Sequence, residues 1–135
     1  AETLGDQGLL QEVRTACTRT AEAALEGWSP DGGMVYERDL NDGAIDADRH
    51  WWVQAETVLG FANAFRLTGK ASWGDDLLKE WESIQTSIVD PRPQGEWFWS
   101  LLEDGTLTGP IAGEWKCPYH NGMMCMEIVE GLSDQ

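Results

Sequence analysis

The segment Trp115-Lys116-Cys117-Pro118-Tyr119-His120-Asn121-Gly122 puts one histidine at the start of an expected helix, among aromatic residues and near a lysine. Imidazole is the side chain that ordinarily gains and loses a proton near neutral pH, so it suits acid–base work there. An indole offers a flat face to the apolar side of a sugar ring and a polar N–H at its edge. These residue types point to proton transfer on a carbohydrate, with His120 as the proton carrier and Trp115 as lining.

A second constellation is His50-Trp51-Trp52 with Glu56. Adjacent helical residues diverge by about 100°, so the two indoles cannot point the same way. One is expected to pack while the other faces a cavity. Glu56 follows Trp52 by four residues and shares its helix face, where it can bind sugar hydroxyls or simply be solvated. His50 reads as an exposed residue of the first helical turn. Trp73 and Trp81 fall on an apolar stripe and are expected in the core. Asp90, Glu96 and Glu114 are loop carboxylates, and two of them flanking a glycosidic bond would make a hydrolase.

Composition narrows the partners. The chain has 135 residues, of which 41% are hydrophobic, enough for one domain with a core. Its 9 basic and 24 acidic residues give a net charge of −15. That field repels phosphate backbones and anionic lipid, so neither nucleic acid nor a membrane is an expected partner, whereas a neutral mono- or disaccharide is indifferent to it. No apolar run approaches the roughly 20 residues of a membrane span. Cys17, Cys117 and Cys125 make an odd count that fits a reducing compartment, read here as cytoplasmic. Cys117, His120 and Cys125 fall short of the four paired ligands of a structural zinc site, so no metal is expected and the thiols read as buried and inert. The start Ala-Glu-Thr-Leu, without Met, reads as the interior of a longer protein.

The elements that must position these groups are helical. Leu9, Leu10, Val13, Ala16, Cys17, Ala21, Ala24 and Leu25 predict a helix from about Asp6 to Glu26, with Gly27 at its C′ position. A loop over Ser29–Ala47 follows, with a short strand at Met34-Val35-Tyr36. Asp48 is expected to cap a second helix carrying Trp51 to Phe65 and ending at Gly69. A third helix carries Trp73 to Ile88 and pairs antiparallel with the second across a short link. Glu96–Leu102 reads as a strand, Asp104-Gly105 as a hairpin turn, and Pro118–Glu130 as a fourth helix.

Three blocks, Arg49-His50-Trp51-Trp52-Val53-Gln54-Ala55-Glu56, then Asp90 with Gly95-Glu96-Trp97-Phe98, then Trp115 to Gly122, resemble the N-acylglucosamine 2-epimerase family in its order, in wording closest to its cellobiose 2-epimerase branch. The resemblance implies an all-α fold, part of an (α/α)6 barrel, with residues 1–135 a single incomplete domain of about four helices. It implies that His120 is one of two catalytic histidines and that Trp52 and Trp115 contact the sugar. The other histidine belongs to a Gly-His-Asp-Ile-Glu-like segment that this sequence does not contain, so the piece alone is expected to be inactive. Met123 stands where the family usually carries Arg, which removes donors and a fixed charge. The implied chemistry is C2 epimerisation of a reducing-end sugar, without cofactor. A glycoside hydrolase and a non-catalytic sugar-binding or scaffold fragment are the alternatives. Self-association through faces that would meet further helices is also expected.

Overall fold

The computed structural model describes residues 3–29 and 31–133; Pro30, within the expected first loop, lies outside them. Helix α1 (Gln7–Ala24) starts where Asp6 accepts a hydrogen bond from the Leu9 amide at 3.0 Å. It ends earlier than its periodicity predicts and tightens into a 3₁₀ turn over Leu25–Gly27. Gly27 is not left-handed, so its expected C′ role is not the one it fills. A Cβ there would lie 3.2 Å from the side chains of both Met34 and Val35, so glycine serves close approach instead.

The expected strand at Met34–Tyr36 forms later. Strands β1 (Glu37–Arg38) and β2 (Ile45–Asp46) make a two-residue antiparallel pair, and Met34 forms only an isolated bridge with Trp28. Gln54 replaces the missing ladder. Its side-chain amide accepts from the Met34 N–H at 2.7 Å and donates to the Met34 carbonyl at 2.9 Å.

The second helix, α2 (Trp51–Thr68), is not capped by Asp48. Arg49 and His50 form strand β3, paired antiparallel with β4 (Ser100–Leu101), which continues through the Asp104-Gly105 turn to β5 (Leu107–Thr108). Tertiary pairing therefore holds the chain extended to His50, and Asp48 accepts from the Glu103 amide at 3.2 Å instead. Of the expected strand Glu96–Leu102, only Ser100 and Leu101 join the ladder, while Trp97 makes a single bridge to Val89.

Gly69, left-handed at φ 66°, and Lys70 link α2 to its antiparallel neighbour α3 (Ala71–Ser83). A π turn over Ile84–Ile88 closes on the Val89 N–H to Ile84 carbonyl bond of 3.0 Å. Helix α4 (Tyr119–Ser133) begins one residue after Pro118, whose carbonyl accepts from Gly122 at 2.9 Å. Buried residues occupy two sides of α2. Trp51, Ala55 and Val58 join Ile84, Ile88, Trp97 and Met124 in one cluster, while Phe61 and Ala64 join Met34 and Trp73 in another. Trp73 is buried as expected; Trp81 is half-buried against the first cluster. The three cysteines are free and exposed, contrary to expectation, because α1 buries no residue and Cys125 lies at an open groove. Among the described residues, no helix is long and apolar enough to cross a membrane.

Glu80 of α3 is fully buried. One of its oxygens accepts from the Gly33 N–H at 2.9 Å, and the other has no partner among the described residues. Burial pushes its carboxyl up to about 7, against the opposing pull of the Gly33 hydrogen bond and the nearby Arg49 charge. The folded protein thus holds a proton that the unfolded chain releases near 4.5, so this group's contribution to stability falls as pH rises from about 4.5 to 7. Glu80→Gln, which cannot ionise, should remove that slope. Chemical unfolding at pH 5 and pH 8 is expected to show the parent's loss between the two shrinking by about 3 kcal/mol in the variant.

Candidate active site

The β3–α2 junction decides where the two indoles go. The Trp51 amide donates to the Trp99 carbonyl at 3.0 Å, so the helix starts with its first orphan N–H satisfied and its rotation fixed. Trp51 then points inward at 1% exposure and Trp52 outward at 36%, one packed and one open. Glu56, one turn on, projects from the same face as Trp52.

Helix α4 docks against α2 and brings His120, in its first turn, onto that face. His120 Nδ1 lies 2.7 Å from Glu56 Oε1. A carboxylate only accepts, so the shared proton belongs to Nδ1, and in the neutral ring Nε2 keeps its lone pair. The imidazole also meets Trp51 nearly perpendicularly at 5.3 Å, the tilted ring of Trp52 at 5.8 Å and the edge of Tyr119 at 5.0 Å between centroids. Its side chain is 31% exposed, so the ring is held without being sealed off.

Three groups here escaped sequence reasoning. Tyr36 meets Trp52 edge-on at 6.2 Å and lies against the His50 ring at 4.2 Å, which extends the aromatic surface along β3. His50, expected to be exposed in a helical turn, is instead a half-buried strand residue whose ring also reaches Trp99 at 6.5 Å. Lys116, inside the motif that drew attention to His120, is buried against Glu96 and the Trp51 ring. Only the unusual concentration of aromatics and the Trp-Lys pairing hinted at these.

Trp115 stands apart. It is 84% exposed and lines a shallow cavity with Trp99 and Pro110, and no ring contact joins it to Trp52 or His120 among the described residues. The loop carboxylates are largely committed elsewhere. Asp90 is buried and clasped by the Arg92 guanidinium and amide, which hold its carboxyl below the usual range. Glu96 accepts from Lys116 at 3.0 Å. Glu114 lies on the exposed loop beside Trp115.

Comparison with known proteins places this geometry in context. The family model of N-acylglucosamine 2-epimerase (GlcNAc 2-epimerase) matches residues 6–124. The chain is 49% identical over 131 residues to a cellobiose 2-epimerase of Bacteroides fragilis, a match covering 96% of this chain and 33% of that protein. Its structure resembles that of a sugar epimerase from a ruminal bacterium, with a TM-score of 0.87 and 37% identity over 96% of this chain and 33% of the other. It also resembles the cellobiose 2-epimerase of Bacillus thermoamylovorans, with a TM-score of 0.78 and 37% identity over 93% and 31%. The expected all-α architecture, part of an (α/α)6 barrel, is the fold shared with these structures. The chain spans about a third of the length of the relatives it matches. Over that span, it belongs to the N-acylglucosamine 2-epimerase family.

Proposed function

We propose that this chain is part of a sugar 2-epimerase that interconverts glucose and mannose at the reducing end of a β-1,4-linked disaccharide, with His120 as one of its two proton carriers. The observation that carries the reading is the His120–Glu56 contact of 2.7 Å, made beside the open indole of Trp52. A ring-opened aldose carries a C1 carbonyl that acidifies the C2 proton. A base on one face removes that proton to give an enediolate, and an acid on the other face returns it with inverted configuration. The acidity comes from the substrate's own carbonyl, so neither metal nor nicotinamide is required.

In this reading, Glu56 holds the Nδ1 proton and presents Nε2 to C2, which makes it an orienting group for His120 rather than a ligand of sugar hydroxyls. Trp52 receives the reducing-end ring on its exposed face, and Trp115, on its exposed loop, supplies a further indole surface. His50 is engaged with Tyr36 and Trp99, which supports assigning the second proton carrier to the Gly-His-containing segment implied by the family resemblance. The hydrolase alternative fares worse. It needs two loop carboxyls, one protonated and one unencumbered, whereas two of the three candidates are committed, Asp90 to Arg92 and Glu96 to Lys116, which leaves Glu114 alone. Three exposed free thiols support a reducing, cytoplasmic setting.

In the full polypeptide that carries this chain, His120→Ala should lower glucose–mannose interconversion by about 10²–10⁴-fold while disaccharide binding persists. Undiminished epimerisation would reject the role, and free monosaccharide as product would favour a hydrolase. Trp52→Ala should raise KM more than it lowers kcat. Binding without any turnover in the full parent polypeptide, lost in Trp52→Ala, would instead favour a non-catalytic sugar-binding protein. The isolated 135-residue chain exposes Phe65 at 42% and Leu78 at 64% beside the apolar groove between α2, α3 and α4. Light scattering is expected to find it above monomer mass and without epimerase activity; a monodisperse monomer would count against that surface as an association face.

A further inference from the structure

We infer that Lys116, together with Glu96, is a positioning residue that sets where the His120 imidazole stands. The inference rests on the proton-carrying role proposed for His120 and adds two residues to it. Lys116 is an anomaly in its own loop. Its side chain is 1% exposed, although Trp115 and Cys117 on either side are exposed. An ammonium group taken out of water needs compensation, and here it finds two sources. Its Nζ lies 3.0 Å from Glu96 Oε1 and 4.0 Å from the centre of the Trp51 ring.

Both partners lead to His120. The same Glu96 oxygen accepts from the Asn121 side-chain amide, so one carboxylate ties down residues on both sides of the histidine in sequence. Trp51, the ring beneath the ammonium, is also the buried indole that meets the imidazole nearly perpendicularly at 5.3 Å. Glu96 is itself fixed from behind, since its carbonyl accepts from the Asp90 amide at 3.1 Å and the preceding Gly95 has no room for a Cβ against the Asp90 backbone. The start of α4 is thus held by a buried ammonium, its half-buried carboxylate partner and an aromatic floor. Glu56 completes the arrangement by orienting the ring about its own axis.

At 1% exposure, Lys116 cannot reach a sugar, which separates its role from that of a binding residue. Losing it should move the imidazole and leave the Trp52 face alone, so the effect belongs in kcat and not in KM. Misplacement of a catalytic group by about 1 Å costs on the order of a hundredfold.

The test is Lys116→Met in the full polypeptide, which keeps the apolar stem and removes the charge. A folded variant is expected to lose about a hundredfold in kcat with KM for the disaccharide within about threefold of the parent. In spectra of isotope-labelled histidine, the Nδ1-bound proton of His120 should shift or broaden as its contact with Glu56 loosens. Glu96→Gln, which keeps an acceptor oxygen but removes the counter-ion, should act in the same direction with a smaller fall, and it carries the test if Lys116→Met does not fold. Unchanged kcat with an unmoved His120 signal would overturn the inference, as would a KM rising by the factor that kcat falls. The spectroscopic readout does not depend on the reaction. If His120→Ala stays active while Lys116→Met still moves the imidazole signal, the epimerase reading fails and the positioning stands.

Discussion

The change from strand to helix between His50 and Trp51 is the constraint on which the site depends. β3 is pinned to β4 with Arg49 opposite Leu101 and His50 opposite Ser100, and the next amide donates to the Trp99 carbonyl. A helix that begins one residue later would turn every side chain by about 100°. Trp51 would then leave the core, and the Trp52–Glu56 face would no longer look toward α4. The ladder is only two residues long, but it sits at the one place where its register sets the rotation of a helix that is otherwise buried on two sides.

The candidate site is a tertiary arrangement. Glu56 and His120 are separated by 64 residues and meet because α4 lies along α2. Neither helix alone offers an oriented base: α4 alone has an imidazole with an undetermined tautomer, and α2 alone has a solvated carboxylate. Their union fixes which nitrogen carries the proton. The surrounding rings are Trp51 beneath, Trp52 and Tyr119 beside, and Tyr36 beyond, and the proposed neutral sugar is one that the net charge of −15 neither attracts nor repels.

The helices were legible in the sequence because their apolar periodicity is strong and their ends carry punctuation that physics respects. Asp6 caps α1 and Gly69 terminates α2 in the left-handed region. The divergence of Trp51 and Trp52 followed from helical geometry alone. The misreadings share one cause, a distant partner overriding a local preference. Asp48 looks like a helix cap until β4 claims the two residues after it. Gly27 looks like a C′ glycine until Met34 and Val35 are seen to need the space. The burial of Lys116 has no local signal, since its partners Glu96 and Trp51 are distant in sequence. The cysteines mislead in the opposite sense, since small apolar thiols usually settle inside and these do not.

The two-residue connection Gly69-Lys70 has a mechanical consequence. It is too short for α2 and α3 to slide independently, so the pair behaves as one stiff lever that carries both Trp52 and Glu56. His120 rides on α4, which the chain reaches through the long run from the β5 hairpin to Pro118 and which packs against α2, with Met124 in the same core cluster as Trp51 and Ala55. The Glu56–His120 pair is therefore closed by packing between two helices and not by the connectivity of the chain. The contacts that grip the start of α4 thereby set the spacing of the pair.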